Sequence, residues 1–344
     1  MRKLATIREI NDVLPIPEAD RICTYVIDGW TIVDSVGAYR TGDLVIMCEI
    51  DSWIPHEIAP FLSKGQEPRV YEGVKGERLK TVKLRKQLSQ GLILPISKLP
   101  FEVTRADIGM DVTEALGILK YEKPISASLA GFARGNFPSF IPKTDQERIQ
   151  NLKQDLGDWV AAGLDWEVTE KLDGTSVTIY KNSALADEGK EPLGVCSRNL
   201  DLKDTEGNVY WNVAKAFDVH GILLRDGRNL AIQGEIIGHG IQGNQYKLNK
   251  HVLYVFDIYD IDNRRYFTPV QRREFCRANG LNHVPVHAPN YIISENNIPK
   301  LLDMADGFSY LNNSQREGLV FKCNTDPSIS FKAISNKWLL KNED

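Results

Sequence analysis

A period of two restricts this fold more than any other feature. Up to about residue 115, apolar and polar residues alternate in short runs at 22–27, 30–36, 43–50, 79–84 and 91–96, with turn residues at Asp28-Gly29 and Gly42-Asp43. Alternation sends successive side chains to opposite faces, so each run reads as a strand with one face to bury. No long helical period interrupts them. Several short strands at this spacing predict a small all-β barrel or sandwich.

Beyond that region the pattern changes. The stretch 120–143 carries Pro124, Ser126, Ser128, Gly131, Gly135, Pro138 and Pro142 and reads as a linker into a second domain. Thr144-Asp145-Gln146-Glu147 has the form of a capping box, which would open a helix running to about Ala162. From about residue 165 strands alternate with helices. Strands are expected near 166–171, 175–180, 193–197, 230–237, 251–260, 317–323 and 328–334. Helices are expected near 210–224, 268–279 and 296–312, with Thr268 as N-cap and Pro269 in the first turn. The expected class is α+β, with a β-barrel over 1–118, a linker over 119–143, and antiparallel sheets with flanking helices over 144–344.

At 344 residues the chain can form two domains, each with its own core. A net charge of −4 excludes a globally basic nucleic-acid binder, so any such surface must be local. One basic run holds Lys75, Arg78, Lys80, Lys83, Arg85 and Lys86 against a single acid, Glu77. Such a run is commonly just a solvated face. Here Lys83 and Arg85 alternate with Val82 and Leu84, which predicts both cations on one strand face and makes them candidate nucleic-acid contacts. The five cysteines are scattered, with no Cys-x-x-Cys, which predicts reduced core thiols. The histidines form no ligand cluster. No apolar run is long enough to span a bilayer and no signal peptide is evident, so a cytoplasmic or nuclear location is expected.

The chemistry concentrates from residue 170 onward. In Glu170-Lys171-Leu172-Asp173-Gly174-Thr175-Ser176, residues 166–171 read as a strand, Asp173-Gly174 as a tight turn and 176–180 as the returning strand. That hairpin would fix Lys171 at a pocket mouth, with Asp173 near a metal or a ribose. A lysine attacks only when unprotonated, so a nucleophilic role requires desolvation or a neighbouring cation to lower its pKa. Taken alone, the tetrapeptide better fits an ordinary Asp-Gly hairpin with a solvated lysine. Downstream lie Ser197-Arg198-Asn199, the strand Gln233-Gly234-Glu235-Ile236-Ile237-Gly238, then Val255-Phe256-Asp257-Ile258. Arg316-Glu317-Gly318-Leu319-Val320-Phe321-Lys322 and Ser330-Phe331-Lys332-Ala333-Ile334 follow. Phe256 also reads as core and Arg198 as half of a surface ion pair. Glu235 and Glu317 are harder to explain structurally, because a carboxylate in an apolar strand is costly unless paired or metal-bound.

Taken in order, these segments resemble the signature motifs of the covalent nucleotidyltransferase superfamily, which comprises polynucleotide ligases and RNA capping enzymes. The β-rich unit lies before the motifs, and only a short tail follows Lys332. That order resembles the nick-sealing RNA ligases with an N-terminal oligonucleotide-binding (OB) domain, the Deinococcus/Naegleria type. Gly238-His239-Gly240-Ile241-Gln242-Gly243-Asn244 and the stretch from Lys143 to Arg148 also look like that group. The resemblance implies an OB-fold domain followed by an adenylyltransferase domain, with ATP as substrate and Mg²⁺ or Mn²⁺ as the metal. Lys171 would take AMP as a covalent adduct. Glu170 would read the base edge, with Gly174 allowing close approach, and Arg198 would meet a ribose or terminal phosphate. Glu235 would meet the ribose hydroxyls and Phe256 would stack on the purine. Asp173, Glu235 and Glu317 would hold the hydrated metal, while Lys322 and Lys332 would offset phosphate charge. The family often has two lysines one residue apart in the last motif, whereas here Ser330 and Ile334 flank Lys332. Arg148 would touch nucleic acid. The implied partner is a nicked duplex with an RNA 3′-OH strand, the implied protein a monomer. An ATP-dependent DNA ligase, a non-catalytic OB-fold RNA-binding protein and a GTP-using capping enzyme are the other readings.

Overall fold

The structure, a computed structural model, describes residues 3–122 and 127–342. Pro124 and Ser126 of the expected linker lie outside the described residues. The chain divides into two compact units, Met1–Pro124 with Leu339–Asp344, and Ile125–Trp338.

The first unit is built from strands, as the alternation predicts. Leu44–Cys48 pairs on one side with Ala5–Glu9 and on the other with Leu92–Pro95. Asp12–Pro15, Ile22–Ile27 and Trp30–Ser35 make a second antiparallel sheet. Ser52–Pro55 joins Leu119–Lys120 to the Arg69–Tyr71/Val74–Arg78 hairpin, and Thr81–Leu84 pairs with Gln87–Gln90. Among the described residues these remain separate sheets and no closed barrel forms, a departure from the barrel expected. Leu4, Ile7, Ile46, Ile54, Leu79 and Leu94 fill the core between them.

The second unit holds two sheets. The larger runs in the order Ala133–Asn136, Leu200–Leu202, Leu193–Cys196, Thr175–Lys181, Leu230–Ile237, Val252–Asp260, Arg265–Tyr266. The smaller runs Glu147–Arg148, Ser330–Ile334, Gly318–Cys323, Asp165–Lys171, Val286–Ile292. Ala133–Asn136, within the stretch read as a linker, is thus an edge strand of the larger sheet. Residues 144–152 do not continue a helix from a capping box. Glu147–Arg148 instead adds a parallel strand beside Phe331 and Lys332, and the helix begins only at Lys153.

Two other helices are shorter than expected, each with a local cause. The run 210–224 is two helices, Val209–Ala216 and Val219–Asp226, separated where Asp218 takes a left-handed φ of 48°. Helix Ile298–Ala305 stops because Arg316 captures its last carbonyls, Nε donating to Ala305 O at 2.9 Å and Nη2 to Met304 O at 2.5 Å. Helix Pro269–Ala278 starts as expected, with Thr268 and Gln271 forming a reciprocal capping box. All five cysteines are free and buried. Among the described residues no helix is long and apolar enough to cross a membrane.

One face of the smaller sheet is an aromatic core. Phe331 is fully buried, 4.7 Å from the Phe321 ring centroid, 5.1 Å from Trp166 and 5.7 Å from Trp159. Phe331→Ala leaves a cavity that its three rigid neighbours cannot fill, and the expected destabilisation is about 3–5 kcal/mol. Urea unfolding of that variant reads it directly; an unchanged midpoint would contradict this packing.

Candidate active site

Register decides which side chains meet. Asp165–Lys171 pairs antiparallel with Gly318–Cys323, setting Lys171 opposite Gly318, Thr169 opposite Val320 and Glu167 opposite Lys322. Gly318–Cys323 in turn sets Val320 opposite Lys332, and Lys332 lies beside Arg148. Directly opposed residues share a face, and alternate residues along a strand return to it. Lys171, Lys322, Lys332 and Arg148 therefore stand on one face of the smaller sheet. Trp166, Val168, Phe321 and Phe331 stand on the other, in the core.

Lys171-Leu172-Asp173-Gly174 does not form the expected hairpin. Asp165–Lys171 pairs within the smaller sheet, whereas Thr175–Lys181 pairs with Leu193–Cys196 and Leu230–Ile237 in the larger one. The motif is a crossing between two sheets. A two-residue hairpin of that kind needs positive φ at its central residues, and Gly174 is not among the positive-φ glycines. What Gly174 supplies is closeness: a Cβ there would lie 2.4 Å from Ile236 O and 2.9 Å from Glu235 Cγ. Leu172 anchors the crossing in a buried cluster with Ile237, Tyr246 and Val284, and the Asp173 amide donates to the Tyr246 hydroxyl at 2.9 Å.

Lys171 is held by carboxylates. Its Nζ donates to Glu317 Oε1 at 2.6 Å. Burial disfavours the Lys171 ammonium, but the charges of Glu317, Glu235 and Asp173 outweigh it, and the pKa lies above the ordinary lysine value. Burial pushes the Glu235 carboxyl up to about 8; the Lys171 ammonium opposes that shift while Glu317 and Asp173 reinforce it. Glu317 Oε2 is buried and accepts no hydrogen bond. That orphaned oxygen, beside two further carboxylates, suits a divalent cation that keeps most of its waters. Among the described residues no group of three or more His, Cys, Asp or Glu side chains could hold a metal by itself.

Glu170 is fully buried. Its Oε2 accepts from the Tyr310 amide at 3.0 Å and lies 3.5 Å from His287 Nε2. Arg316 Nη1 lies 3.3 Å from His287 Nδ1 and 3.5 Å from its Nε2. The second oxygen, Oε1, is buried with no partner. Phe256 is half-buried against the Leu172 cluster. The pairing jumps from Gln233–Asp257 to Gly234–Val255, which leaves Phe256 as the extra residue of a β-bulge, a device that re-aims a side chain.

The other sequence candidates lie elsewhere or are already engaged. Lys322 is buried in an ion pair with Asp257, beside Arg272 and Glu167, and burial lowers its pKa. Arg198 pairs at the surface with Asp145, Nη2 to Oδ1 at 2.5 Å. Arg148 is buried beside Lys332. Arg85 is not on a strand face with Lys83: it occupies a two-residue turn with Lys86, where φ is 46° and 68°.

Tyr246, His287, Tyr310 and Arg316 went unremarked as site residues in the sequence. Tyr246, His287 and Tyr310 come from loops or a strand end with no local motif, whereas Arg316 directly precedes Glu317; all four join the site through tertiary structure. Neutralising Glu317 tests the electrostatics. In Glu317→Gln the Lys171 pKa should fall, so the pH midpoint for labelling Lys171 with an amine reagent moves down. A midpoint that stays put would contradict the pairing.

Comparison with known proteins gives a consistent result. An RNA ligase family model matches residues 164–337, and an OB-fold domain model matches residues 4–96. Similar solved structures include three of Naegleria gruberi RNA ligase, each 44% identical and covering 100% of this chain. A mutant without ligand superposes with a TM-score of 0.91 over 99% of that chain. A mutant with AMP and Mn gives 0.91, and a form with PPi 0.90, each over 100% of that chain. No curated protein sequence matches.

Proposed function

The chain belongs to the RNA ligase family, and from that premise we propose that it seals 3′-OH/5′-phosphate nicks at the expense of ATP. One observation carries the reading: Lys171 sits at the crossing between two sheets, bonded to Glu317 and ringed by Glu235 and Asp173. In this reading the first unit holds the OB-fold domain that meets nucleic acid, and the unit Ile125–Trp338, which takes in the Ala133–Asn136 edge strand, forms the adenylyltransferase domain.

Lys171 Nζ attacks the α-phosphate of ATP; the N–P bond forms as the bond to pyrophosphate breaks. An oxygen of the nick's 5′-phosphate then attacks the same phosphorus and releases Lys171, leaving AMP on the 5′ end. The 3′-OH attacks that 5′-phosphate, the new phosphodiester forms and AMP departs. Lys171 must lose its proton first. A cation drawn to Glu317, Glu235 and Asp173 would remove the charges that keep Lys171 protonated and would screen the phosphates. The ATP, AMP and Mn in the Naegleria structures support this assignment.

Glu170 favours adenine on physical grounds. Its unpartnered Oε1 can accept from an exocyclic amine, whereas a guanine carbonyl there would face it acceptor to acceptor. Phe256, re-aimed by its bulge, stacks on the base. Lys332, on the Lys171 face, balances phosphate charge as pyrophosphate leaves, with Arg148 behind it. Arg198 meets substrate phosphate at the rim once it leaves Asp145. Lys322, tied to Asp257, acts by holding that strand in place.

The test is sealing of matched nicks. A nick with a 3′-terminal ribonucleotide should be sealed in the presence of ATP and Mg²⁺ or Mn²⁺, and Lys171→Ala should abolish it. Equal sealing of an all-DNA nick would favour a DNA ligase. Residual sealing by Lys171→Ala with unadenylylated ends would sink the covalent reading.

A further inference from the structure

The first unit carries a cluster of cations that its own chemistry does not use. Several of its cations sit on acids: Arg8 on Asp28, Arg69 on Glu77, Lys75 on Glu67, Arg78 on Asp51 and Arg105 on Glu9. The Thr81–Leu84/Gln87–Gln90 hairpin gathers three cations close together without such partners. Lys83, Arg85 and Lys86 are exposed, and among the described residues no side-chain hydrogen bond or ion pair engages them.

The turn itself is chosen against local preference. Leu84 pairs with Gln87, leaving a two-residue loop in which Arg85 and Lys86 both have positive φ, 46° and 68°. Loops of this kind favour Asn-Gly, because long side chains resist the left-handed region. Here two adjacent cations occupy both central positions of the turn. Beside them Val82 and Leu84 are exposed at 43% and 42% on one face, an apolar strip with no protein covering it.

The base of the hairpin is rigid. Thr81, Ser89 and Gln90 are buried, the Val33 amide donates to Ser89 Oγ at 3.0 Å, and Thr31 Oγ1 donates to Leu88 O at 3.3 Å. A firmly seated base with an unneutralised tip is a positioned cation pair, not a frayed loop.

We propose that this tip grips the sugar-phosphate backbone of the duplex being sealed. Arg85 and Lys86 at the tip, with Lys83 next to them, would meet phosphates, while Val82 and Leu84 face the other side of the strand from Lys83. This rests on the ligase reading above. The occupant follows from charge and shape: a polyanionic rod offers closely spaced phosphates to cations spaced along one hairpin end.

The experiment pairs Arg85→Asn/Lys86→Gly, which installs the residues the turn favours, with Lys83→Gln on the strand. Binding is measured across a salt series to a nicked duplex with an RNA 3′-OH strand, alongside thermal unfolding and AMP transfer to Lys171. The double variant should melt at the parent temperature or above and accept AMP normally. It should bind the duplex roughly 10- to 100-fold more weakly at ~0.1 M salt, with a salt slope shallower by about 2. Lys83→Gln should reduce the slope by about 1. Unchanged affinity and slope in both variants would overturn the proposal. So would parental duplex binding combined with lost retention on polyglutamate, which would point to an acidic protein partner. Failure of the parent to accept AMP would count against the ligase reading alone, since the duplex-binding comparison is read separately.

Discussion

The second unit depends on the register of one strand pair. Lys171 ends Asp165–Lys171, and Glu317 immediately precedes Gly318–Cys323, the strand beside it. Because side chains alternate, a slip of one residue would turn Lys171 into the aromatic core and bring Phe321 or Phe331 toward the ligand side. The rigid Trp159, Trp166, Phe321 and Phe331 packing forbids that slip. The 2.6 Å contact between Lys171 and Glu317 is thus secured by packing on the opposite face of the same sheet.

That contact also bears on the protonation of Lys171, the proposed nucleophile. The sequence argument asked for a desolvated lysine beside a cation, which would lower its pKa. The structure surrounds Lys171 with carboxylates, and the pKa rises instead. The amine is stored as an ammonium, oriented but unreactive, until its carboxylate neighbours are engaged elsewhere. In the proposed reaction the same carboxylates are both restraint and trigger.

Much of the fold was readable because strands announce themselves through period two. The strands at 166–171, 175–180, 230–237 and 251–260 all fall within a residue or two of their expected places. What could not be read was pairing. Asp173-Gly174 carries a strong local hairpin signal, yet the two strands it joins belong to different sheets, because partners such as Gly318–Cys323 lie far along the chain. Helix ends failed for a related reason: Arg316 stops Ile298–Ala305 from outside the helix. The motif residues Lys171, Glu317, Glu235 and Asp173 converge, as their order suggested. Lys322 could not be separated from them by sequence, since its partner Asp257 is fixed by tertiary packing.

The most direct measurement is the intact mass of the protein after incubation with ATP or GTP and a divalent cation, followed by peptide mapping. This account predicts a gain of one AMP, located on Lys171 and formed from ATP but not GTP. No adduct with any combination of nucleotide and metal, or an adduct on another residue, would contradict it.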